Sequence, residues 1–452
     1  MKKILAIGCG GAGMFSLIVA SQLKKGKFQA TVLSDEKDIY CRCTSPYILT
    51  GEAEIKDAIQ PESMIADYGV NIVHGKAIEI DTKKRHVLMA NGKIFDYDYL
   101  VIATGASPFV PKIKGLENVD YHTVRESTDV EKIMTASRKA KSTVVVGAGV
   151  IGIEMAGALR SKGVEVNLIE AGRSISHGIA DNEFAQKIIS HLDENGITTL
   201  FDAKVLEIKK SKNKKTKLIV RSKRKKIEIE TDLLILATGV RPNLEIIRNT
   251  KIKATESGIV VDEKMQTNVK NVYACGDCCA PLFSVTGEHR SSPLASSAIQ
   301  QSKIVGYQIA GFPISYAGTT GAFAFQTLGK EYAAVGLNEG EARKKYRWVT
   351  VGRAQTTDVY KDLKRCQPLE VKLIFAGPSM RLVGYEAFGN GVITSAEVAS
   401  FAIGQKTNIL KMLKFNYIAH PSMTAWPFMN PLIMATEDAM GCIMKKLKRF
   451  RI

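Results

Sequence analysis

The sequence lacks any apolar run long enough to cross a bilayer. A membrane-spanning helix needs about 20 mostly apolar residues, and charged or polar residues interrupt every apolar stretch of this 452-residue chain well before that length. The apolar segment after Met1-Lys2-Lys3 is shorter than that of a secretory leader and continues directly into a glycine-rich turn. We therefore expect a cytoplasmic protein with no membrane partner.

Cysteine is too sparse for a disulfide scaffold. In the cytosol, a conspicuous cysteine is more often catalytic or metal-binding than structural, and this chain has eight cysteines in 452 residues. Cys275, Cys278 and Cys279 are spaced as in a metal cluster, but no second C-x2-C pair or histidine-rich segment completes a ligand set. The sequence predicts no metal site.

Acidic residues are outnumbered by basic ones. The chain has 63 Lys and Arg against 45 Asp and Glu, a formal charge of +18. Much of the excess lies in residues 209–226 and 445–451. These segments are interpreted as a solvated β-hairpin and a solvated end, with polyanion binding as the alternative. No nucleic-acid partner is predicted, although a basic surface also favours anionic substrates such as nucleotides or coenzyme A.

Glycine, in contrast, occurs in two copies of one phosphate-binding pattern. Each G-x-G-x-x-G copy follows an apolar strand and precedes a helical pattern, which is the context of a dinucleotide site. The first glycine makes the turn, the second admits a pyrophosphate, and the third lets the helix pack closely on the strand. The glycines are Gly8, Gly10 and Gly13 in the first copy and Gly147, Gly149 and Gly152 in the second. Two copies in a chain of several domains predict a flavin and the nicotinamide that reduces it.

A carboxylate after the second strand of each unit would hold the ribose hydroxyls of its nucleotide. In the first unit Asp35 is chosen, one residue beyond Ser34 at the predicted strand end. In the second unit Glu170 follows the last glycine at roughly the 20-residue spacing that is typical of this site. A carboxylate there accepts hydrogen bonds from NADH and repels a 2′-phosphate, whereas Arg173 nearby relieves that repulsion. NADH is therefore predicted, with NADPH left open.

Two later strands end in Ala-Thr-Gly, whose small residues let the backbone pass close to a nucleotide. Thr104 and Gly105 belong to the first of these ends, and Gly239 belongs to the second. A further strand ends in Gly-Asp, where Asp277 is predicted to bind a flavin ribityl chain, with a helix N-cap as the alternative. The order of the five motifs implies that one dinucleotide domain is interrupted by another.

These five motifs, in this order, resemble the pyridine nucleotide–disulfide oxidoreductases, which are flavoproteins with two dinucleotide-binding domains. The resemblance covers residues 1–320 closely and implies an α/β fold with two Rossmann-like domains, plus a C-terminal α+β domain that forms a homodimer and has Val371–Phe375 as a core strand. The implied boundaries are 1–112 and 245–320 for the two parts of the FAD-binding domain, 113–244 for the NAD(P)H-binding domain and 321–452 for the dimerisation domain. FAD is implied at Gly8, Gly10, Gly13, Asp35, Thr104 and Asp277, and NAD(P)H at Gly147, Gly149, Gly152 and Glu170.

The redox centre narrows the resemblance to one branch of the family. Glutathione-reductase-like members carry a C-x4-C pair, which is absent here. The sequence from Cys43 to Tyr47 instead resembles the single-cysteine C-x-x-P-Y site of coenzyme A disulfide reductases, NADH oxidases and NADH peroxidases. In that branch the cysteine lies against the flavin and cycles between a thiolate and an oxidised form. A thiolate is favoured beside cations, and Arg42 is adjacent to Cys43.

Two departures from that branch bear on the substrate. The oxidases and peroxidases usually have a histidine in the first fingerprint, and this chain has none there, which favours thiol–sulfur chemistry. The coenzyme A disulfide reductases usually place Ser and Asn before the cysteine to hold coenzyme A, and Ile39 and Arg42 occupy these positions here. A coenzyme A derivative is therefore left open as the substrate. Cys41 is either the partner of Cys43 in a strained, easily reduced disulfide or an incidental thiol.

The C-terminal segment supplies further candidates. Coenzyme A disulfide reductases have a Tyr followed by Ala-Pro that reaches the partner subunit's cysteine, whereas dithiol reductases have His-Pro with the His as acid/base. Tyr417 and His420 provide both elements here, and Tyr360 is a further candidate. Near the sulfur, such groups would protonate the leaving thiolate. Core packing is the alternative for each.

The predicted function is that of a FAD-dependent NAD(P)H oxidoreductase that reduces a persulfide, a polysulfide or coenzyme A disulfide through Cys43. The first alternative is an NADH oxidase, in which oxygen is the acceptor. A second alternative, a basic flavoprotein that binds nucleic acid, rests on the charge alone and leaves the Cys43 motif unexplained.

Overall fold

The computed structural model describes residues 1–175, 180–211, 213, 215–223 and 225–449. The helices are α1 Gly11–Leu23, α2 Ser45–Thr50, α3 Ile55–Ala58, α4 Ser63–Ala66, α5 Ser127–Ser137, α6 Val150–Ser161, α7 Asn182–Glu194, α8 Ala295–Ile309, α9 Glu339–Lys345, α10 Val392–Gly404, α11 Ile409–Met412 and α12 Pro431–Arg449. The strands are β1 Lys2–Ile7, β2 Phe28–Ser34, β3 Ile39–Tyr40, β4 Ile59–Gln60, β5 Val70–His74, β6 Ala77–Asp81, β7 His86–Met89, β8 Ile94–Asp96, β9 Tyr99–Ile102, β10 Ala106–Pro108, β11 Ser142–Val146, β12 Glu165–Ile169, β13 Ile197–Leu200, β14 Ala203–Lys210, β15 Thr216–Ser222, β16 Lys225–Thr231, β17 Leu233–Leu236, β18 Val240–Pro242, β19 Ala254–Thr255, β20 Gly258–Val260, β21 Val272–Ala274, β22 Cys279–Ala280, β23 Phe323–Thr327, β24 Lys330–Gly336, β25 Val349–Thr357, β26 Pro368–Ala376 and β27 Arg381–Gly389.

The chain divides into two compact units. The first unit contains residues 1–109, 124–133 and 239–319. The second unit contains residues 110–123 and 134–238, together with the described residues from 320 onward. Each unit is therefore built from segments that are far apart in the sequence.

A five-stranded parallel sheet, ordered β21-β9-β1-β2-β5, forms the core of the first unit. Residues Ile4–Ile7 of β1 are all buried, as expected for a central parallel strand that is covered on both faces. The chain turns from the carboxyl end of β1 directly into α1. The sheet also includes β21, which pairs with β9 in parallel although β9 ends at Ile102 and β21 begins only at Val272, so this sheet takes strands from both the beginning and the later part of the chain.

The second unit contains a four-stranded parallel sheet, ordered β13-β12-β11-β17. The central strand β11 is buried along its whole length and leads through a glycine turn into α6. A three-stranded antiparallel sheet, β14-β15-β16, follows β13. The repeated order of strand, glycine turn and helix is what places the two predicted phosphate sites at the carboxyl edges of their sheets.

The C-terminal part of the second unit is an antiparallel sheet, ordered β23-β24-β27-β26-β25. The predicted core strand Val371–Phe375 lies in β26 and is buried throughout. Helix α12 approaches β25 so closely that a Cβ at Gly352 would collide with the carbonyl oxygen of Ala435. Two Rossmann-type sheets and a C-terminal α+β region confirm the predicted fold class.

A buried cluster of charges connects α7 to the C-terminal sheet within the second unit. Lys372 of β26 is 1% exposed. Its Nζ atom forms ion pairs with Asp181 at 2.8 Å, Glu183 at 2.6 Å and Glu339 at 2.9 Å. A lysine at such a position is retained only when it is paired, because an unpaired buried charge is costly.

The first basic segment forms a β-hairpin, as predicted, between β15 and β16. Two of its lysines pair with acids of the same sheet: Lys209 with Glu207 at 3.2 Å, and Lys217 with Glu228 at 2.7 Å. Residues 212, 214 and 224 of this segment, and residues 450–451 of the second basic segment, lie outside the described residues. Among the helices of the described ranges, none is long and apolar enough to cross a membrane.

Candidate functional site

The first glycine turn joins β1 to α1 at the carboxyl edge of the first sheet. A Cβ at Gly8 would collide with the carbonyl oxygen of Ala103, and a Cβ at Gly13 would collide with that of Gly8. Gly8 also has a φ of 103°, in a region that favours glycine. Around Gly10, by contrast, the nearest atom to a Cβ outside its chain neighbours is Nη1 of Arg42, at 3.9 Å. Packing therefore requires the outer glycines, while the middle one leaves room for a ligand.

The second glycine turn repeats this geometry between β11 and α6. A Cβ at Gly147 would collide with the carbonyl oxygen of Ala237, and a Cβ at Gly152 would collide with that of Gly147. Nothing lies within 4 Å of a Cβ at Gly149. In both turns an open middle glycine lies at a helix N-terminus, which suits a pyrophosphate. The residues of both turns therefore fit FAD and NAD(P)H.

Glu170 lies directly after β12 and is held against the second glycine turn. Its Oε2 atom accepts a hydrogen bond from Ala148 N at 2.9 Å, and its Oε1 atom accepts one from Gly172 N at 2.7 Å. The side chain of Arg173 is 93% exposed and lies 4.0 Å from Asp202. The carboxylate is thus fixed beside the turn, while the neighbouring cation is held loosely.

The first unit differs at the corresponding position. Gly8 N donates to Leu33 O in the first unit, and Gly147 N donates to Ile169 O in the second. Ser34, which follows Leu33, therefore occupies the position that Glu170 occupies after Ile169. Ser34 is buried, and its Oγ donates to the carbonyl oxygen of Glu36 at 3.2 Å. Asp35, the predicted ribose ligand, is exposed one residue further along. Its role as a ligand stays a prediction.

The first Ala-Thr-Gly end is hydrogen-bonded to Asn243, which no sequence motif singles out. Thr104 Oγ1 donates to the carbonyl oxygen of Asn243 at 2.8 Å, and Asn243 Nδ2 donates to that of Thr104 at 2.8 Å. Asn243 N also donates to Gly105 O at 3.0 Å. Gly239 precedes β18, and its carbonyl oxygen accepts from Phe109 N at 2.8 Å. The turn after β9 is thereby fixed in one conformation.

Asp277 lies in the turn between β21 and β22, so the alternative that it caps a helix is wrong. Its Oδ2 atom is 3.3 Å from Nη1 of Arg125, and both side chains are largely buried. Burial and the charge of Arg42 lower the pKa of Arg125, while Asp277 opposes this shift. Arg125 Nη2 lies 3.1 Å from the Cβ position of Gly105, which connects Asp277 to the Ala-Thr-Gly end. Arg125 belongs to no motif, so only the tertiary structure identifies it.

Cys43 lies in a turn of 3-10 helix, Arg42–Thr44, that leads into α2. Cys41 and Cys43 are exposed, whereas Arg42 between them is partly buried. The hydroxyl of Ser45 holds this turn, because it donates to Arg42 O at 2.8 Å and lies 2.9 Å from the Tyr40 hydroxyl. The predicted redox cysteine therefore lies on an ordered, accessible turn.

Arg42 connects that turn to the first glycine turn. Its Nη2 atom donates to Glu36 Oε1 at 2.5 Å. Its Nη1 atom lies 3.9 Å from the position that a Cβ at Gly10 would occupy. Both contacts lie within the first unit. The guanidinium thus holds the segment that carries Cys43 beside the predicted FAD site, and its positive charge is available to anionic groups there.

The remaining cysteines of the first unit are unlike Cys43. Burial raises the pKa of the Cys9 thiol to about 12 and that of Cys278 to about 11, and it raises those of Cys275 and Cys279 well above the ordinary value. Such thiols are poor nucleophiles at neutral pH. Within the described residues, no group of three or more His, Cys, Asp or Glu side chains is arranged to hold a metal ion.

Tyr360, Tyr417 and His420 lie together in the C-terminal part of the second unit. Tyr417 donates its hydroxyl to Pro427 O at 2.9 Å, and Tyr360 N donates to Pro421 O at 3.0 Å. His420 is exposed, and its Nδ1 atom accepts from Ser422 N at 3.3 Å and lies 3.0 Å from Ser422 Oγ. Tyr417 and His420 are exposed, which does not support core packing for them, whereas Tyr360 is partly buried and its ring centroid lies 5.8 Å from that of Trp426.

Glu154 is a further candidate that sequence reasoning missed. It lies on α6, one turn beyond the second glycine turn, and it is only partly exposed. Burial raises the pKa of its carboxyl to about 7, and a backbone hydrogen bond from Gln326 opposes the shift. A carboxyl that titrates near neutrality beside a nucleotide turn is typical of functional sites.

Comparisons with known proteins identify the class. Residues 2–302 match the family described as pyridine nucleotide-disulphide oxidoreductase, and residues 324–427 match its dimerisation domain. The chain belongs to this family, as its motifs predicted. It is an oxidoreductase that uses FAD and NAD(P)H.

Individual relatives narrow the comparison. The chain is 31% identical to the NADH oxidase of Methanocaldococcus jannaschii, over 98% of this chain and 100% of that protein. It is 29% identical to the NAD(P)H coenzyme A polysulfide/persulfide reductase of Pyrococcus horikoshii, over 88% of this chain and 90% of that protein. The solved structure of a NAD-dependent persulfide reductase from A. fulgidus is similar with a TM-score of 0.92 at 27% identity, covering 98% of this chain and 84% of that one.

Proposed function

We propose that this protein reduces a persulfide, a polysulfide or a low-molecular-weight disulfide, such as that of coenzyme A, at the expense of NAD(P)H. The observation that carries this proposal is the position of Cys43, exposed on a turn that Arg42 ties to the first glycine turn. The names of the relatives from Pyrococcus horikoshii and A. fulgidus support the same chemistry.

The chemistry at Cys43 is a thiol–disulfide exchange. Its thiolate attacks the outer sulfur of the substrate, a bond forms between that sulfur and Sγ, the substrate S–S bond breaks, and a thiol leaves with a proton. When bound, FAD and NAD(P)H would supply the two electrons that break this new S–S bond, so that the transferred sulfur leaves as hydrosulfide or as a thiol and Cys43 returns to a thiolate. The positive charge of Arg42 favours the thiolate over the thiol.

The charge of Arg42 also bears on the substrate. Its guanidinium is held by Glu36 and remains close to the exposed turn. An anionic sulfur species, such as a polysulfide or a phosphate-bearing thiol, would gain from this cation. The usual coenzyme A contacts are replaced by Ile39 and Arg42, so coenzyme A disulfide is one member of the proposed substrate class rather than its defining member.

NADH is the proposed electron donor. The two backbone hydrogen bonds to Glu170 fix a carboxylate beside the second glycine turn, where it would accept the ribose hydroxyls and repel a 2′-phosphate. The exposed Arg173 is too weakly held to neutralise that carboxylate. Glu154 lies on the helix that follows this turn, and we propose that its carboxyl contributes to the polarity around the bound nicotinamide.

A homodimer is the proposed assembly, with sites shared across its interface. The match to a dimerisation domain supports it. So do large apolar side chains that the C-terminal segment leaves exposed, since such patches mark interfaces: Ile418 at 86%, Met423 at 74%, Phe428 at 68% and Phe401 at 72%. Tyr417 and His420 flank this surface and are proposed to act as acids at Cys43 of the partner subunit.

We also propose a cytoplasmic location. Exposed cysteines that work as thiolates need a reducing compartment, and NAD(P)H is supplied there. Nothing in this function requires nucleic acid.

The second candidate function is NADH oxidation with oxygen as the acceptor. The relative from Methanocaldococcus jannaschii, which the chain matches over nearly its whole length, is named NADH oxidase. Against it, the first fingerprint has no histidine that would act on oxygen or peroxide.

Anaerobic turnover separates the two functions. We expect NADH consumption without oxygen when coenzyme A persulfide, coenzyme A disulfide or polysulfide is supplied, at rates well above those with oxygen alone. Oxygen-dependent turnover that exceeds all three sulfur rates would favour the oxidase instead.

A further inference from the structure

We propose that Cys41 is a second catalytic thiol, which resolves the adduct on Cys43 by forming a Cys41–Cys43 disulfide. The proposal rests on the proposed function, because it assumes that Cys43 accepts sulfur from the substrate. It assigns a dithiol cycle to a chain whose motif resembles that of single-cysteine enzymes.

The backbone brings the two residues within disulfide range. Consecutive Cα atoms are 3.8 Å apart, and a 3-10 turn reduces the separation of Cα atoms two residues apart to roughly 5–6 Å. Disulfides span Cα separations of about 4.4–6.8 Å. Cys41 immediately precedes the 3-10 turn that contains Cys43, and Thr44 N donates to Cys41 O at 3.1 Å, which closes the turn over both residues.

Both cysteines of this turn are accessible to solvent. Residues 41 and 43 are exposed, whereas Tyr40 and Ser45 are buried and Arg42 is drawn toward Glu36. The intervening Arg42 side chain is therefore held away by its ion pair. A disulfide between them would therefore form from two accessible thiols and would not include the buried Tyr40 or Ser45.

The thiol of Cys41 has no structural task in this turn. Cys41 is the N-cap residue of the 3-10 turn, yet its side chain makes no capping hydrogen bond to an amide of the described chain. The backbone does the holding: Cys41 N donates to Ala58 O at 2.8 Å. A serine at this position would keep these backbone contacts while removing the sulfur.

The exchange balances without an added oxidant. Cys43 Sγ, joined to a substrate sulfur, is attacked by the Cys41 thiolate, so that the Cys41–Cys43 bond forms and the adduct bond breaks. The expelled group leaves as a thiol or as hydrosulfide and takes up a proton. The two electrons that reopen the disulfide are those that NAD(P)H and FAD supply in the proposed function, and a tight disulfide of this kind is easily reduced.

The test compares Cys41→Ser with wild-type holoenzyme and with Cys366→Ser, which alters a partly exposed thiol in the second unit. Each protein is reduced anaerobically with NADH, freed of excess NADH, treated with coenzyme A disulfide and with polysulfide in separate arms, acid-quenched and mapped by peptide mass spectrometry. FAD content per chain checks that each protein is folded.

In wild type and in the Cys366→Ser control, we expect a Cys41–Cys43 disulfide with little adduct on Cys43. In Cys41→Ser we expect the Cys43 adduct to accumulate at least tenfold and turnover to fall at least tenfold, while flavin reduction by NADH changes less than twofold. If Cys41→Ser turns over within twofold of the control and accumulates no adduct, the role of Cys41 is wrong and the proposed function stands. If no protein forms a disulfide or an adduct at Cys43 in either arm, the proposed function itself fails.

Discussion

At the scale of single residues, the carboxylate of Glu170 is the clearest case of a side chain whose position determines a preference. It accepts hydrogen bonds from two backbone N–H groups, one of which belongs to the second glycine turn. This geometry fixes the negative charge where a nucleotide ribose would bind, so the charge rather than the hydrogen-bonding capacity should control discrimination against NADPH.

Glu170→Gln tests this separation, because glutamine retains an acceptor oxygen but has no charge. Removing a repulsion of about 1 kcal/mol, the size expected for two charges about 4 Å apart in water, should raise the NADPH-to-NADH ratio of flavin-reduction rate constants at least about fivefold. Stopped-flow flavin reduction measures both constants. Glu165→Gln, at the exposed start of the same strand, is the matched control and should leave the ratio unchanged. An unaltered ratio in Glu170→Gln would remove Glu170 from nucleotide selection.

Residues were predictable from sequence where local backbone geometry requires them. The outer glycines of both turns are fixed by collisions with nearby carbonyl groups, so their spacing alone identifies the turn. Residues that act through distant partners were not predictable. Arg125 meets Asp277 only because the first unit joins segments far apart in the chain, and Glu154 owes its raised pKa to burial. The correspondence between Ser34 and Glu170 likewise could be recognised only from the pairing of the strands.

At the scale of elements, the contact between α7 and the C-terminal sheet depends on buried charges. Glu386 of β27 is 1% exposed, and its Oε2 atom accepts from Asp181 N at 3.0 Å and from the Tyr332 hydroxyl at 3.2 Å. Burial first, and the charge of Asp181 second, raise the pKa of Glu386 to about 9. The carboxyl is therefore protonated at neutral pH, beside the Lys372 cluster. The family resemblance predicted a core strand at the position of β26, but not that Lys372 within it pairs with Glu183 of α7 and Glu339 of α9.

This carboxyl should make stability depend on pH. The folded chain keeps the Glu386 proton up to about pH 9, while the unfolded chain releases it near 4.5, so the folded state binds the extra proton between these values. Stability is therefore full below the unfolded pKa and falls as the pH rises through this window. The acids with lowered pKa values, Asp181, Glu183 and Glu339, have ordinary values of 3.8, 4.5 and 4.5, so they are ionised in both states above about pH 6 and add no slope there.

Glu386→Gln should remove this contribution, because glutamine mimics the protonated acid at every pH. In urea unfolding between about pH 6 and about pH 8, the variant should gain stability relative to wild type as the pH rises, by at most about 1.4 kcal/mol per pH unit. Glu370→Gln, on the neighbouring strand and in a more exposed ion pair with Lys187, is the control and should show no such trend. A difference that is constant with pH would mean that Glu386 is ionised in the folded protein.

At the scale of the whole molecule, the order of five short motifs was enough to predict the family and the fold class. These motifs are local, and each has a strict backbone requirement. The C-terminal region lacks such signatures, so sequence predicted its core strand but not the charge cluster that links it to α7. The exposed apolar surface of that region is what supports the proposed homodimer.

Mixed dimers test whether a site is built from two subunits. Pairing a Cys43→Ser chain with a His420→Ala chain should leave one intact site if His420 acts on Cys43 of the partner subunit, so the mixed dimer should retain about half of wild-type sulfur turnover. General acid catalysis typically contributes about 10²–10⁴-fold, which sets the loss expected in a His420→Ala homodimer. A mixed dimer as defective as the His420→Ala homodimer would show that both residues act within one subunit.

The most direct measurement of the central claim is sulfur turnover by Cys43→Ser under anaerobic conditions, with NADH as donor and with flavin reduction followed in the same preparation. We predict that the variant binds FAD, that NADH reduces its flavin within about twofold of the wild-type rate constant, and that turnover with persulfide, polysulfide and coenzyme A disulfide falls by at least about 10²-fold because the nucleophile is gone. Sulfur turnover that persists in Cys43→Ser while the flavin is reduced normally would contradict the account.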